Sequence, residues 1–331
     1  MTVDVVFRPG RYRVSVRPGE TILEAVAGQG YRAPNACRNG VCHVCVARLL
    51  DGDPGHEGVL APALPGHPPS VLICKAQPLS DCELEMTNLY PPGIMPAREM
   101  AAQIHAVRAL TGDVHEVDLL TPAGILPEFH AGQYLQLLIP GHDGAYFSIA
   151  NAPGSRHLQL HILAVPGQSS ACEVVDYLRS RPTVRLRLPM RRCCLTALPA
   201  EPVVLVAAGT GFAQIKSMVE WLILKGHIQP VHVYWAVRRP EERYAAAIFS
   251  SWAQLPWIRC FGVTADSQDN DWAGHHVELV KALVNDPVDW QQASVYVSGS
   301  PPMVYAVQDA LRPLGLADPR FHSDVLDYAP R

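Results

Sequence analysis

Cys37-Arg38-Asn39-Gly40-Val41-Cys42-His43-Val44-Cys45 puts three thiols within nine residues, and after 28 intervening residues a fourth follows at Cys74. Four thiolates spaced Cys-x4-Cys-x2-Cys…Cys are the pattern that holds a [2Fe–2S] cluster. Three donors on one tight loop wrap most of such a cluster, a fourth from a distant segment closes it, and backbone N–H groups of the loop point at the sulfurs. The competing reading is a structural zinc site with four cysteine ligands. Zinc is usually gripped by paired Cys-x2-Cys knuckles, and only one such pair, Cys42 and Cys45, is present. Cys37, Cys42, Cys45 and Cys74 are therefore the candidate cluster ligands. Cys82, Cys172, Cys193, Cys194 and Cys260 read as small buried apolar residues.

The flanks of this loop predict a small β-rich unit over residues 1–90. Val3, Val5 and Phe7 alternate, Pro9-Gly10 turns the chain, and Tyr12, Val14 and Val16 alternate again, which is a hairpin. Thr21 with Glu24 three residues on is a capping box for a short helix ending near Gly30. Strands are expected at 46–50, 71–73 and 82–86, with a Pro-rich excursion at 54–69 and a linker over 91–101 opening at Pro91-Pro92-Gly93. This segment resembles the plant-type ferredoxin family, which implies a β-grasp fold around a [2Fe–2S] cluster. His43 stands where that family usually has Gly after the second cysteine. Residues 1–90 hold nine acidic and eight basic residues, a net of −1. A free ferredoxin usually carries a strong negative field. A ferredoxin tethered to its reductase needs less, because the linker supplies a high local concentration.

Beyond the linker, strands are expected at 105–110, 114–120, 133–139, 146–150, 157–164 and 183–188, with a helix at 171–179. Six strands and one helix suit a closed antiparallel barrel over 102–199. From Pro202 the texture changes: Val203–Ala207 is a continuous apolar run, Gly209-Thr210-Gly211 follows, and a helix is expected from Phe212 to about Lys225. A strand at 231–237, a helix near 241–252 and a strand at 295–297 predict a parallel, doubly wound α/β sheet over 200–331. The expected fold is thus multidomain, α+β and α/β.

Glycines between a buried strand and a helix let the backbone approach a pyrophosphate on the helix N-terminus. Val295–Val297 runs into a second turn, Ser298-Gly299-Ser300-Pro301-Pro302-Met303. Together the two are similar to the NAD(P) domain of the ferredoxin–NADP reductase superfamily, which carries G-T-G-x-A-P after the first strand and C-G-x-x-x-M after a late one. Lys216-Ser217-Met218-Val219-Glu220 and Tyr234-Trp235 resemble the branch with a fused ferredoxin, including CDP-6-deoxy-glucoseen reductases and the reductases of aromatic-ring oxygenases. The resemblance implies that Gly209, Thr210, Gly211, Gly299 and Ser300 bind NAD(P), with Ser298 near the nicotinamide. Gln214 replaces the family's Pro, expected to be mild, and Ser298 replaces its Cys, expected to slow hydride transfer. Arg238 and Arg239 leave NADH and NADPH both open.

The same resemblance implies a flavin in the barrel, FAD over FMN. The family motif R-x-Y-S-x-x-N reads here Ala145-Tyr146-Phe147-Ser148-Ile149-Ala150-Asn151. It assigns Phe147 to ring stacking, Ser148 to the flavin N5 edge and Asn151 to the cofactor. Ala145 replaces the Arg that grips a flavin phosphate. Gly167-Gln168-Ser169-Ser170 ahead of a helix is the expected anion turn, with Gly167, Ser169 and Ser170 as ligands, and Arg191 or Arg192 is the candidate for the missing charge. Asp324 matches the family ending S-D-x-F, with Tyr328 able to replace its ring. Ser148, Ser298 and Asp324 form the implied catalytic set. A physical argument also asks for flavin. Nicotinamide delivers two electrons as hydride, a [2Fe–2S] cluster takes one, and a flavin converts between them.

Composition narrows the function classes. Apolar residues make up 48% and charged ones 18%, which excludes global disorder. A net charge of −4 argues against a nucleic-acid binder. The start has no signal-peptide pattern, and the uncharged stretch 290–308 is broken by Gln, Ser, Gly and two prolines, so a cytoplasmic protein without a membrane partner is expected. The expected activity is electron transfer from NAD(P)H through flavin to the cluster and on to an unidentified protein acceptor. Two alternatives stand beside it: a flavin-free redox-sensing or electron-relay protein, and a free-flavin reductase.

Overall fold

Val3–Arg8 (β1) and Tyr12–Val16 (β2) form the antiparallel hairpin, with Val5 opposite Val14. The Thr21 hydroxyl accepts the Glu24 N–H and the Glu24 carboxylate accepts the Thr21 N–H, so the capping box starts α1 (Ile22–Gly28). Strands β3 (Val46–Asp51), β4 (Val59–Leu60), β5 (Ser70–Leu72) and β6 (Cys82–Glu85) complete a sheet in the order β2-β1-β6-β3-β5-β4. β1 and β6 run parallel, and α1 packs its Ile22 and Val26 face into a core with Phe7, Ile73 and Leu84, the β-grasp arrangement. Burying each such side chain stabilises the unit by roughly 1.5–3 kcal/mol. The computed structural model describes residues 2–61, 68–167, 169–190, 193–264 and 276–331, and the chain divides into two units, Met1–Pro96 and Ala97–Arg331.

The second unit begins with a nearly closed antiparallel barrel. Its strands are β7 (Arg98–Ala109), β8 (Val114–Leu120), β9 (Tyr134–Leu137), β10 (Tyr146–Ser148), β11 (His157–Leu163) and β12 (Thr183–Met190), in the order β10-β9-β12-β7-β8-β11. The ends meet where Ile149 bridges Leu160 and the Ala150 N–H donates to the Gln159 carbonyl at 2.7 Å. Helix α2 (Ser169–Ser180) follows β11. β7 starts well before the expected residue 105. The stretch Arg98-Glu99-Met100-Ala101 has no strand alternation of its own. It is held by its partner β12, whose Arg185 donates to Glu99 at 2.7 Å and whose Arg187 Nε does so at 3.1 Å.

The rest is a parallel sheet of β13 (Val203–Ala208), β14 (Val231–Val237), β15 (Ile258–Thr264), β16 (Ser294–Ser298) and β17 (Phe321–His322), ordered β15-β14-β13-β16-β17. Alternate residues of β13 serve opposite faces. Val203, Leu205 and Ala207 pack with α3 (Phe212–Leu224) and α4 (Ala246–Trp252). Val204 and Val206 pack with α5 (Val277–Val284), α6 (Pro301–Leu311) and α7 (Val325–Tyr328). The single helix expected near 241–252 is instead a short 3-10 turn at Pro240–Glu242 and a helix that begins only at Ala246. Among the described residues no helix is long and apolar enough to cross a membrane.

Candidate cofactor sites

In the cysteine loop the four expected ligands stand two and two. The Cys42 N–H donates to Cys37 Sγ at 3.3 Å, the Cys37 N–H lies 3.5 Å from Cys42 Sγ, and both residues are exposed. Cys45 and Cys74 are buried and hydrogen-bonded to each other. Among the described residues no three His, Cys, Asp or Glu side chains gather around one ion-sized point. Two separate donor pairs suit a two-iron cluster better than one tetrahedral zinc. The Asn39 backbone N–H, then Cys42, draw the Cys37 thiol down to about 6. Burial, then Cys74, push the Cys45 thiol up to about 11. Arg38, Gly40 and His43 have φ of 56, 86 and 57°, all left-handed. His43 therefore takes a conformation that glycine adopts freely and another residue at a cost of roughly 1–2 kcal/mol, the physical reason for the family's Gly there.

The nucleotide motifs converge where the sheet order reverses. β13 and β16 are parallel neighbours, and the crevice beyond their C-terminal ends is where doubly wound sheets bind ligands. Gly209–Gly211 form one 3-10 turn before α3. The Trp235 indole donates to the Gly209 carbonyl at 3.0 Å and stacks on Phe212 with centroids 3.8 Å apart, fixing the turn. A Cβ on Gly211 would lie 2.3 Å from the Ser298 carbonyl oxygen, so glycine is required for the turn to abut β16. Thr210 sits within that turn, and Gly299 and Ser300 lead from β16 into α6, with Ser300 at its N-cap.

A cavity of about 640 Å³ opens between barrel and sheet, lined among others by Phe147, Ser148, Gln214, Ser298, Asp324 and Tyr328. The three expected catalytic residues thus share one space, of a size that suits a cofactor ring. A second cavity of about 450 Å³ shares Tyr146 and Phe147 with the first and is walled by Ala145, Leu163 and Ser170. Gly167 is left-handed in the turn before α2, at φ 84°. Among the described residues lining this second cavity none is Arg or Lys. Gln168, Arg191, Arg192 and the Ser169 side chain lie outside the described residues. Asn151 lines neither cavity. Its amide donates to Ala152 and His157 carbonyls, both at 3.0 Å, and accepts the Gln159 N–H at 2.8 Å, shaping the loop after β10. Flavin fits the ring cavity on size and aromatic lining. The phosphate side offers a helix N-terminus and Ser170, without a described cation.

Sequence reasoning missed what holds this cavity together. Gln214 Nε2 is 2.8 Å from the Gly132 carbonyl, 3.1 Å from that of Cys193 and 3.0 Å from Asp324 Oδ2. A single amide joins the start of α3, the end of the barrel and the C-terminal segment, which the family's proline would not do. Lys216 Nζ reaches the Ala150 carbonyl at 3.1 Å, Gln159 at 2.8 Å and Glu220 at 2.6 Å. The Ser217 hydroxyl donates to the Asn151 carbonyl at 2.8 Å. The Lys-Ser-x-x-Glu stretch was visible as a family resemblance. Its work as a latch on the loop after β10 has no local signal. Burial, then Lys216, hold His161 down to about 3, beside the Tyr244 hydroxyl at 3.0 Å. Burial, then Asp324, raise both Cys193 and Cys194 well above the usual thiol range.

Comparisons with known proteins identify two domains in the chain. Residues 7–79 match the 2Fe-2S iron-sulfur cluster binding domain, and residues 205–309 match the oxidoreductase NAD-binding domain. Terephthalate 1,2-dioxygenase, reductase component 2, of Comamonas sp is 28% identical over 316 residues, covering 95% of this chain and 94% of that protein. The CDP-6-deoxy-L-threo-D-glycero-4-hexulose-3-dehydrase reductase of Yersinia pestis is 29% identical over 331 residues, covering 98% of each. Among solved structures, the Amycolatopsis cytochrome P450 reductase GcoB superposes with a TM-score of 0.63 at 28% identity, again covering 98% of each chain.

Proposed function

We propose, for a chain that unites a [2Fe–2S] ferredoxin domain with an oxidoreductase NAD-binding domain, a reductase that carries electrons from NAD(P)H by way of flavin and cluster to a separate redox protein. The carrying observation is the convergence of Ser148, Ser298 and Asp324 on one cavity, from a barrel strand, a sheet strand and the C-terminal segment. A flavin bound there supplies the conversion between a hydride pair and single electrons. The turn Gly209–Gly211 and the N-terminus of α3 receive the nucleotide pyrophosphate. The close approach of Gly211 to Ser298, which lines the cavity, supports a nicotinamide end beside it. Asp324, tied by Gln214, holds a carboxylate where positive charge develops on a nicotinamide as hydride leaves. Phe147 walls both cavities, one for a ring and one for a nucleotide tail, which favours FAD over FMN.

The acceptor is an oxygenase or dehydratase component, in line with the names of the relatives. The boundaries read from the sequence, with ferredoxin over 1–90, flavin barrel over 102–199 and NAD(P) domain over 200–331, are part of this reading. A cytoplasmic setting suits nine cysteines that are all unpaired in the structure. Ala145 favours one second reading, a free-flavin reductase, because the cavity beside it has no described cation. The visible spectrum of the purified protein, its acid-released flavin, and anaerobic addition of NADH or NADPH test all of this. Bleaching of both flavin and cluster bands is expected. A cluster that stays oxidised with either nucleotide, even after FAD is added, overturns the reading in favour of a relay protein. Turnover only with added flavin that leaves unbound assigns the second reading.

A further inference from the structure

Barrel and sheet of the second unit are tied at two separate places. The first is one turn of α3, where Gln214, Lys216 and Ser217 make the bonds described above. The second is Tyr244, from the segment between the Pro240–Glu242 turn and α4. Its hydroxyl lies 3.0 Å from Nδ1 of His161 on β11, and the two rings meet edge to face with centroids 5.1 Å apart.

Each end of this second tie leads to a cofactor site. On the sheet side, the Tyr244 ring stands edge-on to Trp235 at 5.2 Å and to Phe212 at 6.1 Å. These are the rings that fix the glycine turn, through the Trp235 bond to the Gly209 carbonyl. On the barrel side, His161 follows Gln159 and Leu160, which pair with Ala150 and Ile149, the two residues after Ser148. Gln159 and His161 share one face of β11, about 7 Å apart at strand spacing, and meet Lys216 and Tyr244 respectively. One strand thus supports the residues beside Ser148 and also meets the ring cluster behind the nucleotide turn.

Two packed bodies tied at a single helix turn keep the freedom to rock about it. A second tie, off that helix, removes this freedom. Burial, then Lys216, hold His161 down to about 3, and burial raises the Tyr244 phenol, so the second tie is a neutral hydrogen bond near pH 7. We propose that Tyr244, acting through His161, is a positioning residue that holds the nucleotide turn in register with the flavin side of the barrel. The proposal rests on the electron path above and adds the contact that sets the distance of its first step. In that step NAD(P)H gives up a hydride, one proton with two electrons, to the oxidised flavin and leaves as NAD(P)⁺. A displacement of about 1 Å at the reacting atoms costs on the order of 100-fold in rate, so a partial loss of register is measurable.

Tyr244→Phe keeps the ring contacts and removes the hydroxyl. The flavin-loaded variant is expected to reduce its flavin about tenfold more slowly at saturating nucleotide, with nucleotide affinity and melting temperature close to wild type. Hydrogen exchange in the absence of nucleotide reads the tie without turnover. Amides at 150–152 and 209–211 should exchange faster in the variant, while β7 and β12 keep wild-type protection. His161→Leu should reproduce both effects. His161→Asn, which offers a donor and an acceptor near the place of Nδ1, should restore most of the rate, and this pair carries the test where Tyr244→Phe does not fold. A wild-type rate in Tyr244→Phe overturns the proposal, as do equal rates in His161→Leu and His161→Asn. So does a slowed variant whose melting temperature falls and whose exchange rises in every strand, since the bond then serves stability alone. Failure of either nucleotide to reduce the flavin of the wild-type protein would instead sink the electron path, and the exchange pattern would still decide the tie.

Discussion

Three of the four proposed cluster ligands come from nine consecutive residues, whereas Ser148, Ser298 and Asp324 reach their cavity from three segments far apart in the chain. The first site is written locally. Its donors are brought together by a loop whose left-handed residues fix the turn, and the fourth ligand follows a strand paired to the loop's own β3. The second site exists only once barrel and sheet have packed, latched by Gln214 and Lys216. A local site declares itself by spacing. An assembled site declares only its parts.

The largest expected effect separates the two. Cys42→Ser should abolish the cluster absorption and electron delivery to cytochrome c, while nucleotide-driven ferricyanide reduction persists, because the units have separate hydrophobic cores. Loss of both activities would break the comparison. Next, Ala145→Arg should restore a charged contact to a flavin phosphate. Such bonds contribute about 1.5–3 kcal/mol, so flavin retention measured by fluorescence quenching should tighten about tenfold or more. An unchanged affinity would mean that Arg191 or Arg192 already supplies the charge. The smallest effect lies in acid. His161 is held to about 3 when folded against about 6.5 when unfolded, so the unfolded chain binds its proton first as pH falls. Its contribution is complete above the unfolded value and is lost on the way down to the folded one. From pH 7 to 5 this removes about 2 kcal/mol, read as a falling melting temperature of the second unit. His161→Gln should flatten that slope, and an unaltered slope would exclude His161 as its source.

Much of the fold was legible because its signals are local: the capping box at Thr21, the alternation of β1 and β2, and the apolar run of β13 before a glycine turn. What escaped was set by partners. The first residues of β7 are a strand because they pair with Arg185–Leu188 of β12, with Glu99 bound by Arg185 and Arg187, and nothing within 98–101 announces it. The continuous helix expected near 241–252 fails after Pro240, where a 3-10 turn intervenes. At the cavity, Ser148, Ser298 and Asp324 were each named from a motif. The tie between Gln214 and Asp324 joins residues 110 apart and has no local trace.

Tyr146 and Phe147 wall both cavities, so the three-residue β10 acts as a partition. Ala145 faces one compartment and Ser148 the other. In the proposed reading, the side chain at 145 bears on the grip on the cofactor's tail, and Ser148 on the reacting side. In evolutionary terms, how tightly the protein keeps its cofactor and how well it uses it are separately heritable. A lineage can drift from a resident flavin toward an exchangeable one without first surrendering its chemistry.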